Sequence, residues 1–313
     1  MHAPATVTPA PQGAVRLGDW GVIRAIGPEA RSFLHGQLTQ DIEHLPAGQA
    51  RLAGYCSAKG RLLATFVVWS CNEQETLLAC SADLLDSVLK RLSMFVLRAK
   101  CKLSDASAEW PLWGITGEVA ADAPGPVWGT VCGEGRALIR LPDAGTAGID
   151  PVARYLCAGA PPADLAALDI EDWRWLEVRS GVARIVAATS EQFVPQMVNL
   201  ELVAGVNFQK GCYPGQEIVA RSQYRGTLKR RLFVVDGDGE EPLRPGQEIF
   251  HSAEPDQPAG SVVLGATSTR GSHSALVSLK IAAVESGGLH SQSSSGPLVR
   301  VGTLPYAIPT ESA

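Results

Sequence analysis

Long apolar runs, grouped metal ligands, phosphate-cradling loops and a dominant charge sign are all missing from this 313-residue sequence. Its most apolar stretch, LLATFVVW, falls far short of the roughly 20 residues that a membrane-spanning helix needs. The opening MHAPATVTPAPQG has no apolar core and no early Arg or Lys, so residues 1–13 are expected to be a mobile tail, and no membrane partner is expected. No CxxC pair occurs, whereas a zinc or iron-sulfur site enclosed by one chain needs several thiolates or histidines at recognisable spacing; no stable metal is expected. G-x-S-x-G, Walker-type and dinucleotide-binding loops are absent as well, which argues against phosphoryl transfer and nicotinamide chemistry. The balance of 27 Lys plus Arg against 32 Asp plus Glu gives −5. Composition therefore argues against direct nucleic-acid binding and leaves any RNA role local or indirect. Seven cysteines, odd in number and without a framework pattern, point to a reducing, cytoplasmic home.

What is present is enough apolar content, 45%, for two or three cores in a chain longer than one ordinary domain. After the tail, LGDWGVIRAIG reads as a strand, and Pro28 opens a helix that Gly36 ends. LAGYCSA, RLLATFVVW and ETLLACS read as strands, the first two a hairpin turned at Lys59-Gly60. Leu84, Leu85, Val88, Leu89, Leu92, Phe95 and Val96 recur at helical spacing, and VLRAKCKL returns as a strand bearing Arg98 and Lys100. A second unit has strands at PLWGIT, PVWGTV and ALIRL, then helices at IDPVARYL and LDIEDWRWLEVRSG, the latter capped by Asp169. From Lys229 onward alternation and frequent glycine predict a small β-barrel, with ESGGLHSQSSSGP as a loose hairpin loop. The fold class is α+β.

The octapeptide KGCYPGQE, Lys210 to Glu217, carries the most chemistry. It sets the Cys212 thiol beside Lys210 and just before a short polar helix, and a nearby cation or a helix N-terminus lowers a thiol pKa. Tyr213 offers a flat amphipathic face, and Gln216 with Glu217 supplies donors and acceptors for the edge of a heterocycle. The competing reading is a buried, inert Cys212 in a glycine turn. Arg221, Arg225, Lys229, Arg230 and Arg231 follow as a basic run, of which Arg221 is kept as an anion-binding candidate. Arg230 and Arg231 read as a solvated strand edge.

KGCYPGQE resembles the K-G-C-F/Y-x-G-Q-E motif of the YgfZ/GcvT-type folate-binding proteins. FLHGQLTQDI, YCSAKGRLLATFVV, WRWLEVRSG, FVPQMVNLE, AGVNFQKGC and the terminal LPY fall in the order that family shows, so the likeness spans nearly the whole chain. The resemblance implies a GcvT-like fold: two ferredoxin-like antiparallel α+β units around a central folate pocket over residues 14–228, and a C-terminal barrel over 229–313. It implies tetrahydrofolate or a derivative as cofactor. Glu177 would meet the pterin edge with Tyr213, Gln216, Glu217 and Arg221, and Gln37 and Asp41 would line the pocket. A carboxylate accepts two parallel hydrogen bonds from adjacent N–H groups of a 2-amino-4-oxo ring, although Glu177 between Arg174 and Arg179 also reads as a surface ion pair. This chain has Gly181-Val182-Ala183 where family members often have G-x-P.

Two functions follow from the resemblance. In one, the chain is a non-turnover accessory protein for iron-sulfur cluster assembly or repair and, through iron-sulfur enzymes including those that thiolate tRNA, for tRNA modification. Cys212, with Lys210, would be its redox thiol or transient cluster ligand. In the other it is a folate-dependent aminomethyl transferase. The thiol in KGCY favours the first, because the transferase branch does not need a nucleophile there.

Overall fold

A computed structural model describes residues 11–117, 123–133, 135–146, 149–224 and 228–309. Arg225 of the basic run and residues 1–10 of the tail lie outside them. The first strand, β1 (Gly13–Arg16), already begins at the last residue assigned to the tail.

The described residues form two five-stranded antiparallel sheets and a closed six-stranded barrel. The first sheet contains β2 (Trp20–Ile26), β3 (Arg51–Cys56), β4 (Leu62–Asn72), β5 (Glu75–Ser81) and β6 (Lys102–Asp105), in the order β3-β4-β5-β2-β6. The β3–β4 hairpin turns at Ser57 to Gly60, as the Lys59-Gly60 pair predicts. Helix α1 (Ala30–His35) ends at Gly36, and α2 (Ala82–Val96) buries Leu84, Leu85, Val88 and Leu92 against the first sheet. Arg98 and Lys100 stand in the turn between α2 and β6, not on a strand; Leu97, at φ 46°, reverses the chain there.

The second sheet has the order β1-β7-β10-β9-β8, with β7 (Leu112–Thr116), β8 (Thr130–Gly133), β9 (Arg136–Thr146) and β10 (Ile149–Gly159). IDPVARYL is thus a strand, not a helix. Val152, Arg154, Leu156 and Ala158 alternate inward, the period of two that marks a pleated surface. Pro151, which as a helix opener suggests the other reading, falls where the β9–β10 register shifts, a place that does not require its missing N–H. Val22, Val67, Trp69, Leu77 and Ala79 of the first sheet share a core with Ala137, Ile139, Leu141, Leu156 and Ala158 of the second. Trp173 of α3 (Ile170–Arg179) completes it. The Asp169 side chain caps α3 by accepting from the Glu171 N–H at 2.8 Å.

Strands β11 (Arg230–Gly237), β12 (Glu248–His251), β13 (Glu254–Thr267), β14 (His273–Lys280), β15 (Leu289–Ser291) and β16 (Leu298–Val301) close the barrel in the order β11-β14-β13-β12-β15-β16. The segment expected to be a loose loop supplies β15, which joins β12 to β16. Arg231 is no solvated edge: it is buried in an ion pair with Glu201, while Arg230 donates to the Ala259 carbonyl. Among the described residues no helix is long and apolar enough to cross a membrane.

Candidate functional site

The residues expected to share one pocket occupy two places on the β3–β4 hairpin. At its turn sits the KGCYPGQE loop, with Gly215 packed against Ser57 and Gly60. Further along, Leu52, Thr65, Phe66 and Val67 line a small void of about 40 Å³ beneath Glu177 and Arg184. Five or six residues of β4 separate the two, roughly 15 to 20 Å of strand.

The loop is pinned by its own side chains. The Asn207 amide oxygen accepts from the backbone N–H groups of Gln209 at 2.8 Å and Lys210 at 3.2 Å. Lys210 Nζ donates to the carbonyls of His35 and, at 2.9 Å, Leu38, satisfying the C-terminal end of α1, and lies 4.9 Å over the Tyr213 ring. Burial draws its pKa down to about 8, while the Asp41 and Cys212 charges pull the other way. Cys212 is exposed, which discards the buried-thiol reading. Cys56, Cys80 and Cys157 are buried instead, and desolvation pushes their thiols up to about 12, 12 and 11.

Tyr213 does not offer a free face. It is 6% exposed, packed in the main core with Lys210 over its ring, and burial raises its pKa. An aromatic next to a glycine-rich turn gains more from burial than from waiting for a ligand. Gln216 and Glu217 begin α4 (Gln216–Tyr224), and Glu217, Ala220, Arg221 and Tyr224 line an open groove of about 440 Å³. Gln37 sits between α1 and β3 with its buried Oε1 unpartnered. Asp41 accepts from Nδ1–H of His35 at 2.9 Å, from His44 Nδ1–H at 3.1 Å and from the His44 backbone N–H at 3.1 Å. Burial works to raise the Asp41 pKa, but these hydrogen bonds outweigh it and leave it lowered. The local sequence contains no histidine near Cys212; the fold brings His35 against Gly211 and against Lys210, 175 residues from it in sequence.

Glu177 is buried on α3, not a surface ion pair with its helical neighbours. Arg184 holds it in a two-pronged contact, Nε to Oε1 at 2.7 Å and Nη2 to Oε2 at 3.1 Å. Arg184 also meets Asp19 at 3.2 Å, Ser81 Oγ at 3.0 Å and the face of Trp20 at 4.8 Å. Burial alone would lower the Arg184 pKa; the Glu177 and Asp19 carboxylates overturn that and raise it. A second guanidinium, Arg154, lies 5.3 Å over Trp173, its pKa drawn down to about 10 by burial despite Glu177 and Asp143. Glu177 and Arg184 face a cleft of about 520 Å³, bounded by Asp19, Asp83 and Arg174 and closed from the barrel side by Pro245, Leu264 and Gly265. Arg184, Asp19 and Arg154 escape a sequence reading because they come from three segments far apart in the chain.

Cys71 at the end of β4 and Cys132 on β8 form a disulfide that ties the two sheets together. Cys56, Cys80, Cys101, Cys157 and Cys212 are free, so the lack of a framework pattern did not exclude a disulfide. Sixty-one residues separate the pair, and no local pattern announces it.

The two sheets and the closed barrel define a protein of the aminomethyltransferase fold. The crystal structure of glycine cleavage system aminomethyltransferase T from Bartonella henselae is similar to it with a TM-score of 0.73, over 95% of this chain and 86% of that one, at 17% identity. No protein-family model matches the chain. The tRNA-modifying protein YgfZ of Edwardsiella ictaluri is 35% identical over 74% of this chain and 72% of its own length. That of Photobacterium profundum is 32% identical over 80% and 78%. The chain belongs to the YgfZ family.

Proposed function

We propose that this protein binds tetrahydrofolate or a derivative in the Glu177 cleft and acts as an accessory factor for tRNA modification. Its partners would be iron-sulfur enzymes, including tRNA-thiolating ones, in the cytoplasm. The observation that carries the folate reading is the two-pronged grip on Glu177. A carboxylate that accepts from two N–H groups fixed on one planar N–C–N unit has the shape that the 2-amino-4-oxo edge of a pterin needs. The pterin edge would take the place of the Arg184 guanidinium on that carboxylate, and the 520 Å³ cleft lies within the size range of small-ligand pockets. Tyr213 and the Cys212 loop stand apart from that cleft, so the thiol would serve the partner enzyme or its cluster while the folate is held elsewhere. Cys212 is the exposed member of the free cysteines, which supports that division.

Binding of tetrahydrofolate is measured by calorimetry on wild type, Glu177→Ala and Cys212→Ala, beside rescue of tRNA thiolation in cells lacking the protein. Glu177→Ala is expected to lose folate binding; Cys212→Ala is expected to keep it and lose rescue. Retained affinity in Glu177→Ala would remove the cleft from the proposal. The aminomethyl transferase reading is favoured by the fold alone. It prevails if the protein forms methylenetetrahydrofolate at an enzymatic rate from an aminomethylated lipoyl carrier.

A further inference from the structure

We propose that His35, Glu43 and His44 form a binding site for a divalent transition-metal ion of the Zn2+ class, on the surface beside the loop that carries Cys212. One ring nitrogen from each histidine and one carboxylate oxygen of Glu43 lie within 4.8 Å of one another. Ligands around one tetrahedral ion at about 2.0–2.2 Å sit roughly 3.4 Å apart. Glu43 is exposed, so rotation of its side chain narrows the remaining gap.

Asp41 accepts the Nδ1–H of both rings, which leaves Nε2 of each as the nitrogen able to bind an ion. A carboxylate behind a histidine in this way is the usual outer shell of a metal site. Asp41 is itself held: its N–H donates to Gln40 Oε1 at 2.8 Å, and its carboxylate accepts the His44 backbone N–H. His35 is fixed by Lys210, which binds its carbonyl.

Gly211 supplies a separate observation. Its φ is not in the left-handed region, so backbone geometry does not call for glycine there. A Cβ at this position would lie 3.5 Å from His35 Nε2, so the motif loop runs directly beside that nitrogen. Two imidazoles and a carboxylate suit Zn2+, Co2+ or Fe2+ better than the all-oxygen cations Ca2+ and Mg2+. Three protein ligands leave a coordination position open, the pattern of an exchangeable site. This inference is independent of the folate reading.

The test uses the full, untagged chain after chelator treatment. Co2+ is titrated in and followed by its visible absorption, then displaced with Zn2+. One equivalent is expected to bind. His44→Ala and Glu43→Gln, both surface changes, are each expected to weaken binding at least tenfold, and Asp41→Asn about 10- to 100-fold. A wild-type protein that leaves the Co2+ spectrum unchanged, or binding equal in wild type and His44→Ala, overturns the site.

Discussion

Arg184 reaches Glu177 through both prongs of its guanidinium, 2.7 Å from Nε to Oε1 and 3.1 Å from Nη2 to Oε2, with both side chains 8% exposed. Removing one partner strands the other charge in a site with little water. Arg184→Leu is therefore expected to destabilise the fold by about 3–5 kcal/mol in urea unfolding. Arg184→Leu combined with Glu177→Leu is expected to recover most of that loss, because the pair is costly to bury and only the orphan is ruinous. A single variant as stable as wild type would show that the pair is hydrated.

Thiol chemistry separates the cysteines. Cys212 is exposed while Cys56, Cys80 and Cys157 are buried with raised pKa values. Brief iodoacetamide treatment at pH 8 is expected to label Cys212 first by mass spectrometry. Non-reducing peptide mapping is expected to find Cys71 joined to Cys132. In the chain-entropy account, opening a loop of that length lowers stability by about 4 kcal/mol, so Cys71→Ser should melt earlier than wild type in the absence of reductant and like it in the presence of reductant.

The contrast between the two halves of the hairpin explains what a sequence can reveal. Strands β3 to β5, α2 and the Asp169 cap were legible because alternation, helical spacing and a capping residue are local properties. IDPVARYL was not, since its pairing with β7 and β9 is decided by distant strands, and Pro151 carries opposite meanings at a helix start and at a bulge. The family motif pointed to Glu177 and Cys212, yet the separation between them is a matter of where each lands along β4. Arg184 had no local signal beyond its charge, and neither did the meeting of His35 with Gly211. Tyr213 carries no local mark of its burial, because a ring suited to stacking on a ligand is equally suited to a core.

Gly215 and Gly60 interlock the motif loop with the hairpin turn. Gly215 has φ 77°, and a Cβ there would lie 2.4 Å from the Ser57 carbonyl oxygen and 2.6 Å from Gly60 backbone atoms. Both obstacles are main chain and cannot rotate away. Gly215→Ala is expected to cost about 1–3 kcal/mol from backbone strain alone and to raise amide exchange in α4 and at Cys212. Unchanged exchange would mean that the loop holds its place without this contact.

Lys210 offers a pH readout of the same loop. Its pKa falls from 10.5 to about 8, chiefly because it is partly buried. Between those two values the folded chain holds fewer protons than the unfolded chain, so stability rises with pH there. The charge penalises folding fully below pH 8, and the penalty fades toward 10.5. Lys210→Met carries no such term; the hydrogen bonds it loses to His35 and Leu38 set a different baseline but a weaker slope. Wild type is thus expected to gain on Lys210→Met as pH rises from 8 to 10.5 in parallel urea titrations, and to be acylated at Lys210 at a pH where ordinary lysines are still protected by their charge. Parallel stability curves would place the Lys210 ammonium in water, away from Tyr213 and the end of α1.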